Sequence, residues 1–312
     1  MRGGRAINTD LSQTIEARIL EVSLSLHEVW GEDSRTKDLN DRIKNFISQV
    51  EDSDLREIIL ELIYNFKYFS KSKINELLVE FHIKIKDELE LNEDLTIYSR
   101  IEDENQAKID SSNTILEEFK ICNEISNNFT YEFSKLTEDQ LNYVDNIVVF
   151  DDIIGSGKTL ISFLRPNLSK IRSSRIKLYV FCFVILEEAL ERIQEFINNN
   201  GIDVEIKYNS MFPKAFKRNY IFKEDFSIYE EKIREHENSK RMSFVLGYEN
   251  SQALVAFYRN TPNNTLPTFW WNSTKWKGLF PRDNRKPTFM LKGKDNKKNK
   301  VAYNLTKMES RE

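Results

Sequence analysis

The sequence predicts an α/β protein built on a parallel sheet flanked by helices. Two observations carry that expectation. Between residues 146 and 208, compact apolar runs alternate with amphipathic stretches of helical spacing. At the join of the first such pair stands "NIVVFDDIIGSGKTLISFL" (146–164), a buried strand running into a glycine-rich turn and then a helix.

The N-terminal third reads as helical. "SQTIEARILEVSLSLHEVW" sets Ile15, Ile19, Val22, Leu26 and Val29 on one stripe. "SDLREIILELIYNFKYFS" opens on a Ser/Asp cap, and "SKSKINELLVEFHIKIKDELE" repeats the pattern. Each stripe is first a packing face. "DLTIYSRI" (94–101) is β-rich, "EDENQAKIDSSN" polar and loop-like, and "SSNTILEEFKICNEISNNF" helical. "NIVVF" and "RIKLYVFCFVI" read as buried strands and "IDVEIKYN" as a third. "SGKTLISFLRPNLSKI" reads as a helix carrying Pro166, and "LEEALERIQEFINNNG" as a helix ending at Gly201. "MSFVLGYENSQALVAFYRN" adds one or two late strands. This divides the chain into a helical region (1–92), an α/β domain (93–282) and a basic tail (283–312).

Composition narrows the classes of function. The 46 basic and 50 acidic residues nearly cancel, which gives no global case for a nucleic-acid or membrane-surface binder. From Arg282 to Glu312, however, 10 Lys or Arg face 4 Asp or Glu. Such a tail is a solvated end or a surface for nucleic-acid phosphates. Cys122 and Cys182 lack CxxC partners, and His27, His82 and His236 are scattered, which argues against structural zinc. No run of about 18 apolar residues is present, so the expectation is a soluble cytoplasmic protein with no membrane contact.

GSGKT ends like a Walker A loop, but the first glycine of that loop would fall at Asp152, whose carboxylate would repel a phosphate. A kinase or ATPase reading keeps only Gly157, Lys158 and Thr159. With the acidic pair included, the stretch has another logic. Asp151 and Asp152 at a strand end accept from vicinal hydroxyls. Gly155, Ser156, Gly157, Lys158 and Thr159 offer N–H and O–H donors to a phosphate at a helix start.

Strand-Asp-Asp-x-x-x-Ser-Gly-x-Thr-helix resembles the phosphoribosyl-pyrophosphate (PRPP) motif of type I phosphoribosyltransferases, nearest to their hypoxanthine-guanine branch. The resemblance implies that Asp151 and Asp152 hold the ribose hydroxyls and Mg2+, and that residues 155–159 anchor the 5-phosphate. By position, Lys108 and the 111–114 segment, Ser111 and Ser112 among them, would hold pyrophosphate. "SFVLGYENS" is similar to the strand flooring the base pocket, with Phe244 and Val245 either stacking a base or packing in the core. Two departures stand out. Gly155 replaces an Asp that handles a purine proton, and Ser251 replaces an acid that contacts a second magnesium ion.

"YRNTPNNTLPTFWWNSTKWKGLFPR" (258–282) holds three of the four Trp. Together with the PRPP-like loop it resembles the phosphoribosyltransferase-like effectors of bacterial conflict systems, some of them retron-associated. That resemblance implies an anti-phage effector binding PRPP or a nucleotide and acting at ribose C1, or a non-catalytic sensor or scaffold. It also implies a retron reverse transcriptase and its RNA or DNA as partners for the tail. Within the aromatic segment, Asn264 is a candidate ligand contact, and the tryptophans are either a packed lid or part of a site.

Overall fold

The computed structural model describes residues 14–102, 111–173 and 175–282. In chain order the elements are α1 (Ile15–Trp30), α2 (Leu39–Ile47), α3 (Ser53–Tyr64), β1 (Lys67–Phe69), α4 (Lys71–Ile83), β2 (Thr96–Arg100) and α5 (Ser111–Asn123). There follow α6 (Glu138–Leu141), β3 (Asn146–Ile154), α7 (Lys158–Ser173), β4 (Lys177–Leu186), α8 (Glu187–Asn200), β5 (Val204–Phe212), α9 (Phe226–Ser239), β6 (Val255–Phe257) and α10 (Pro267–Trp270).

Four strands form an all-parallel sheet in the order β2-β3-β4-β5. β4 explains the arrangement. Every residue from Leu178 to Leu186 is buried, so both faces of this strand are covered. An unbroken apolar run is what a central parallel strand requires. β5, at the edge, is only partly buried. The helix starts follow local chemistry. Asp52 caps α3 by accepting from Leu55 N at 2.9 Å, and Ser70 caps α4 through Lys73 N at 3.3 Å. Gly201 ends α8 in the left-handed conformation, as its position predicts. α7 continues through Pro166.

Two expectations need correction. The apolar stretch after Asp52 does not remain helical: α3 stops at Tyr64, and Lys67–Phe69 forms β1, paired in parallel with β6 as a second, two-stranded sheet. Tertiary pairing with residues nearly two hundred positions away decides this, which no local period reveals. The "SFVLGY" run is not a strand. Phe244, Leu246, Glu249, Asn250 and Gln252 all take positive φ, as does Gly247. Extended pairing is impossible there, and β6 begins only at Val255.

The apolar side chains gather into two cores. One surrounds the four-stranded sheet, with α4, α5 and α7 packed on it. The other joins α1–α3 to residues 215–280. The helices of the N-terminal region therefore share their interior with the aromatic segment, with no break near residue 92, and the chain to Pro281 clusters as one unit. Arg35 fastens this second core. It donates to Phe257 O (2.6 Å), Thr261 Oγ1 (2.9 Å) and Pro281 O (3.2 Å) and lies over the Phe280 ring. Arg42 adds a bond to Leu279 O at 2.6 Å.

The tryptophans are packing residues. Trp270 and Trp276 are each 1% exposed and donate to Thr265 O (2.7 Å) and Thr268 O (2.8 Å). Trp276 also meets the ring of buried His236 at 4.6 Å, and burial lowers that imidazole to about 4. Among the described residues no helix is long and apolar enough to cross a membrane.

Glu237, on α9, is fully buried and accepts three hydrogen bonds, from Leu246 N (2.7 Å), Thr268 N (3.0 Å) and Thr268 Oγ1 (2.8 Å). Burial outweighs these donors and pushes its carboxyl up to about 7. A pKa higher in the folded than in the unfolded chain gives stability that is complete below about pH 4.5 and is lost as pH rises toward 7, about 3 kcal/mol in all. Denaturant midpoints should therefore fall from pH 5 to pH 8 in the wild type and stay level over that range in Glu237→Gln. A level wild-type profile would show that the carboxyl is ionised throughout.

Candidate functional site

The end of β3 and the start of α7 border an open cleft of about 390 Å3. It is lined by Asp151, the turn from Gly155 to Thr159 and, opposite, Tyr248, Asn263 and Asn264. Its place, at the carboxyl ends of parallel strands, is where open α/β sheets bind ligands. Gly157 takes φ +75, which turns the chain from strand to helix, and a side chain there would press on Ile193. The first N–H groups of a helix have no partner within it, which favours an anion there; at the start of α7, Lys158 N donates to Ser156 Oγ at 3.4 Å.

The acidic pair divides. Successive strand residues point to opposite faces, so the two carboxylates do not serve one ligand side by side. Asp151 lines the cleft and accepts from Ser111 Oγ at 3.3 Å and from Asp152 N at 2.9 Å. Asp152 is 7% exposed, accepts from Ile153 N at 2.9 Å and lies 3.8 Å from the Arg259 guanidinium. Arg259 reaches on to Glu118 at 3.3 Å, which also pairs with Lys71 at 3.0 Å and Tyr258. The pair thus has one member facing the cleft and one tied to an internal charge network. Cys182 stands beside Asp151 in register, and burial raises its thiol well above the usual range, so it is a packing residue.

Ser112 is likewise committed to structure. Its hydroxyl accepts from Ile101 N (2.7 Å) and donates to Phe150 O (2.6 Å), joining β2, α5 and β3. Lys108 lies outside the described residues. Phe244 is 46% exposed, packs edge-on to Tyr248, and is not part of the cleft lining. Tyr248, four residues on, lines the cleft in its place. The positive φ at Leu246, Gly247 and Glu249 swings Tyr248 inward, and strand-like spacing gave no hint of that.

Lys158 Nζ meets Glu249 Oε1 at 3.0 Å, and that hydrogen bond raises the ammonium above its usual value. Arg192 donates to Ser156 O at 2.7 Å and supports the turn from outside. Among the described residues no three His, Cys, Asp or Glu side chains gather as a metal site. Among the described residues that line the cleft, Asp151 supplies the carboxylate. That suits Mg2+, which takes one or two protein carboxylates and completes its shell with water and substrate oxygens.

Asn264 decides the identity of residue 155. Gly155 has no positive φ to demand glycine, yet a Cβ there would fall within 2.8 Å of Asn264 Oδ1 and closer still to Nδ2. The amide itself is held by Ser251 Oγ, which lies 3.3 Å from Nδ2 and donates to Asn264 O at 2.8 Å. A Cβ at Gly247 would collide with the Asn264 carbonyl.

A parallel sheet with an acidic strand end, a glycine turn and a helix start around one cleft defines a phosphoribosyltransferase-like protein. Residues 43–282 match the model of the PRTase-CE family, and the chain belongs to that family. It is also similar to the solved AQ2163 protein from Aquifex aeolicus, at 17% identity over 59% of this chain and 88% of that one, with a TM-score of 0.32, a likeness too loose to bear on geometry or function. No curated protein matches.

Gly155→Ala should cost about 1–3 kcal/mol through overpacking against Asn264. The double variant Gly155→Ala/Asn264→Gly should recover most of that loss. Thermal melts of the four members of the cycle check it, and additive losses would show that the two positions do not share one space.

Proposed function

We propose that this protein binds a 5-phosphoribosyl compound, PRPP or a nucleotide, in the cleft and acts at ribose C1 as an effector of bacterial anti-phage defence of the retron-associated kind. One observation carries the reading: Asp151 and the donors of Gly155 to Thr159 line a single cleft at the carboxyl edge of a parallel sheet. The 5-phosphate would lie on the turn, with Ser156 and Thr159 adding hydroxyl donors to the backbone N–H groups. Lys158 would exchange Glu249 for phosphate oxygens. The Asp151 carboxylate would accept from a ribose hydroxyl and stabilise positive charge that develops at C1 as the bond to the leaving group breaks. With PRPP, pyrophosphate leaves with the bonding electron pair and the incoming nucleophile forms the new bond to C1. A Mg2+ ion held through Asp151 and the substrate's own oxygens would neutralise charge on the leaving pyrophosphate. Asp152, paired with Arg259, would position the strand end and not touch substrate.

In defence, such chemistry would deplete or modify nucleotides once the protein is released from inhibition. The basic segment 283–312, outside the described residues, would supply the contact to a reverse transcriptase and its nucleic acid, an association that should weaken steeply between 50 and 200 mM salt.

A second reading is a sensor or scaffold that holds the same ligand without turnover. A specific feature favours it. The side chain against Gly155 is an amide, which cannot donate a proton to a leaving base, and Ser251 is occupied with Asn264.

Calorimetric titration of PRPP with Mg2+ into the wild type should show binding, and Asp151→Asn should weaken it at least about tenfold, the scale of one charge-assisted hydrogen bond. Absence of binding in the wild type would overturn the reading. Consumption of the ligand separates the enzyme from the sensor, and toxicity that survives in Asp151→Asn/Asp152→Asn would rule out the enzyme.

A further inference from the structure

The cleft has more lining than a phosphate and a ribose require. With the phosphate on the 155–159 turn and the sugar at Asp151, the remaining lining is Ile153, Ile154, Leu160 and Ser162 on the sheet side and the half-buried Tyr248, Asn263 and Asn264 opposite. Apolar surface, one aromatic ring and convergent amides make a chemistry suited to a planar heterocycle, which stacks on its faces and hydrogen-bonds along its edge. A volume of about 390 Å3 lies within the range of small-ligand pockets.

Asn264 is the best-placed of these groups. It is 9% exposed yet lines the cleft, and it packs directly on Gly155, so its amide stands beside the residue that links the strand end to the phosphate turn. Its placement is over-determined. The Asn264 carbonyl accepts from Ala253 N (3.1 Å) and from Ser251 Oγ (2.8 Å), and Ser251 Oγ also touches Nδ2. The adjoining Asn263 carbonyl accepts from Tyr248 N at 2.8 Å, so ring and amides are fastened to each other. Glu237 anchors both arms, through Leu246 ahead of Tyr248 and Thr268 beyond Asn264. A polar group fixed this firmly at a pocket wall, next to a glycine cleared to admit it, is what a specificity contact requires.

We propose that Asn264 is the specificity-determining contact of this cleft, reading the edge of a neutral nucleobase beside the Tyr248 ring, so that the cleft takes a nucleoside 5′-monophosphate in preference to the phosphorylated sugar alone. This rests on the reading above that the 5-phosphate occupies the 155–159 turn. A carboxamide carries a donor and an acceptor on one plane and pairs with a base edge that offers both. It neither gains nor loses a proton near neutral pH.

The test compares ribose 5-phosphate with AMP, GMP, CMP and UMP by calorimetry on the full chain with Mg2+. At least one nucleotide should bind about tenfold or more tightly than ribose 5-phosphate, as one good bidentate contact implies. Asn264→Ala should remove that gain and leave ribose 5-phosphate within about twofold of wild type. Asn264→Asp, which keeps the shape and loses the N–H donors, carries the test where the alanine variant does not fold, and it should change the ranking of the four nucleotides. Ribose 5-phosphate binding with no gain from any base, or a gain and ranking unchanged in these variants, would overturn the proposal while the phosphate-turn reading stands. Failure of ribose 5-phosphate and all four nucleotides to bind would overturn both.

Discussion

Glu237 sets one carboxyl in an apolar interior and meets it with three donors from two separate segments. The wall of the cleft opposite the 155–159 turn depends on those bonds. Leu246 leads into the left-handed turn that presents Tyr248 and Glu249, and Thr268 follows the stretch that presents Asn263 and Asn264. Left-handed backbone at several non-glycine residues is unfavourable and persists only where the surroundings over-determine it. A buried acceptor that would otherwise go unsatisfied provides that determination, because removing a donor from it would cost a desolvated polar group.

Around this anchor the two cores have different tasks. The four-stranded sheet brings Asp151 and the 155–159 turn to one edge. The second core, closed by Arg35 and lined with Trp276, Phe66 and Phe269, brings the opposite wall. The contact of Asn264 with Gly155 is where the opposite wall meets the sheet's glycine turn. The Asn264 amide occupies the space that a Cβ at residue 155 would need.

Much of this was legible beforehand. Unbroken apolar β4, capped α3 and α4 and the glycine end of α8 are local features, and local chemistry decides them. The glycine turn between β3 and α7 was legible because what it requires, glycine for the bend between an apolar strand and a helix, acts within five residues. Phe244 was misplaced because alternation of apolar residues reads as a strand when the backbone signs of φ are hidden. Ser112 was misplaced because a serine near a helix start serves a ligand or a neighbouring backbone equally well, and only packing distinguishes them. Tyr248 had no signal of its own.

The sequence by itself determined the parallel α/β class, the strand-turn-helix and its acidic pair, since each arises from residues adjacent in the chain. Only the tertiary structure decided that Asp151 faces the cleft while Asp152 turns to Arg259, that β1 pairs with β6, and that Asn264 fills the space above Gly155. Those outcomes join residues from about 100 to nearly 190 positions apart, and they are set by which side chain occupies a shared volume, a quantity that exists only once the chain has packed.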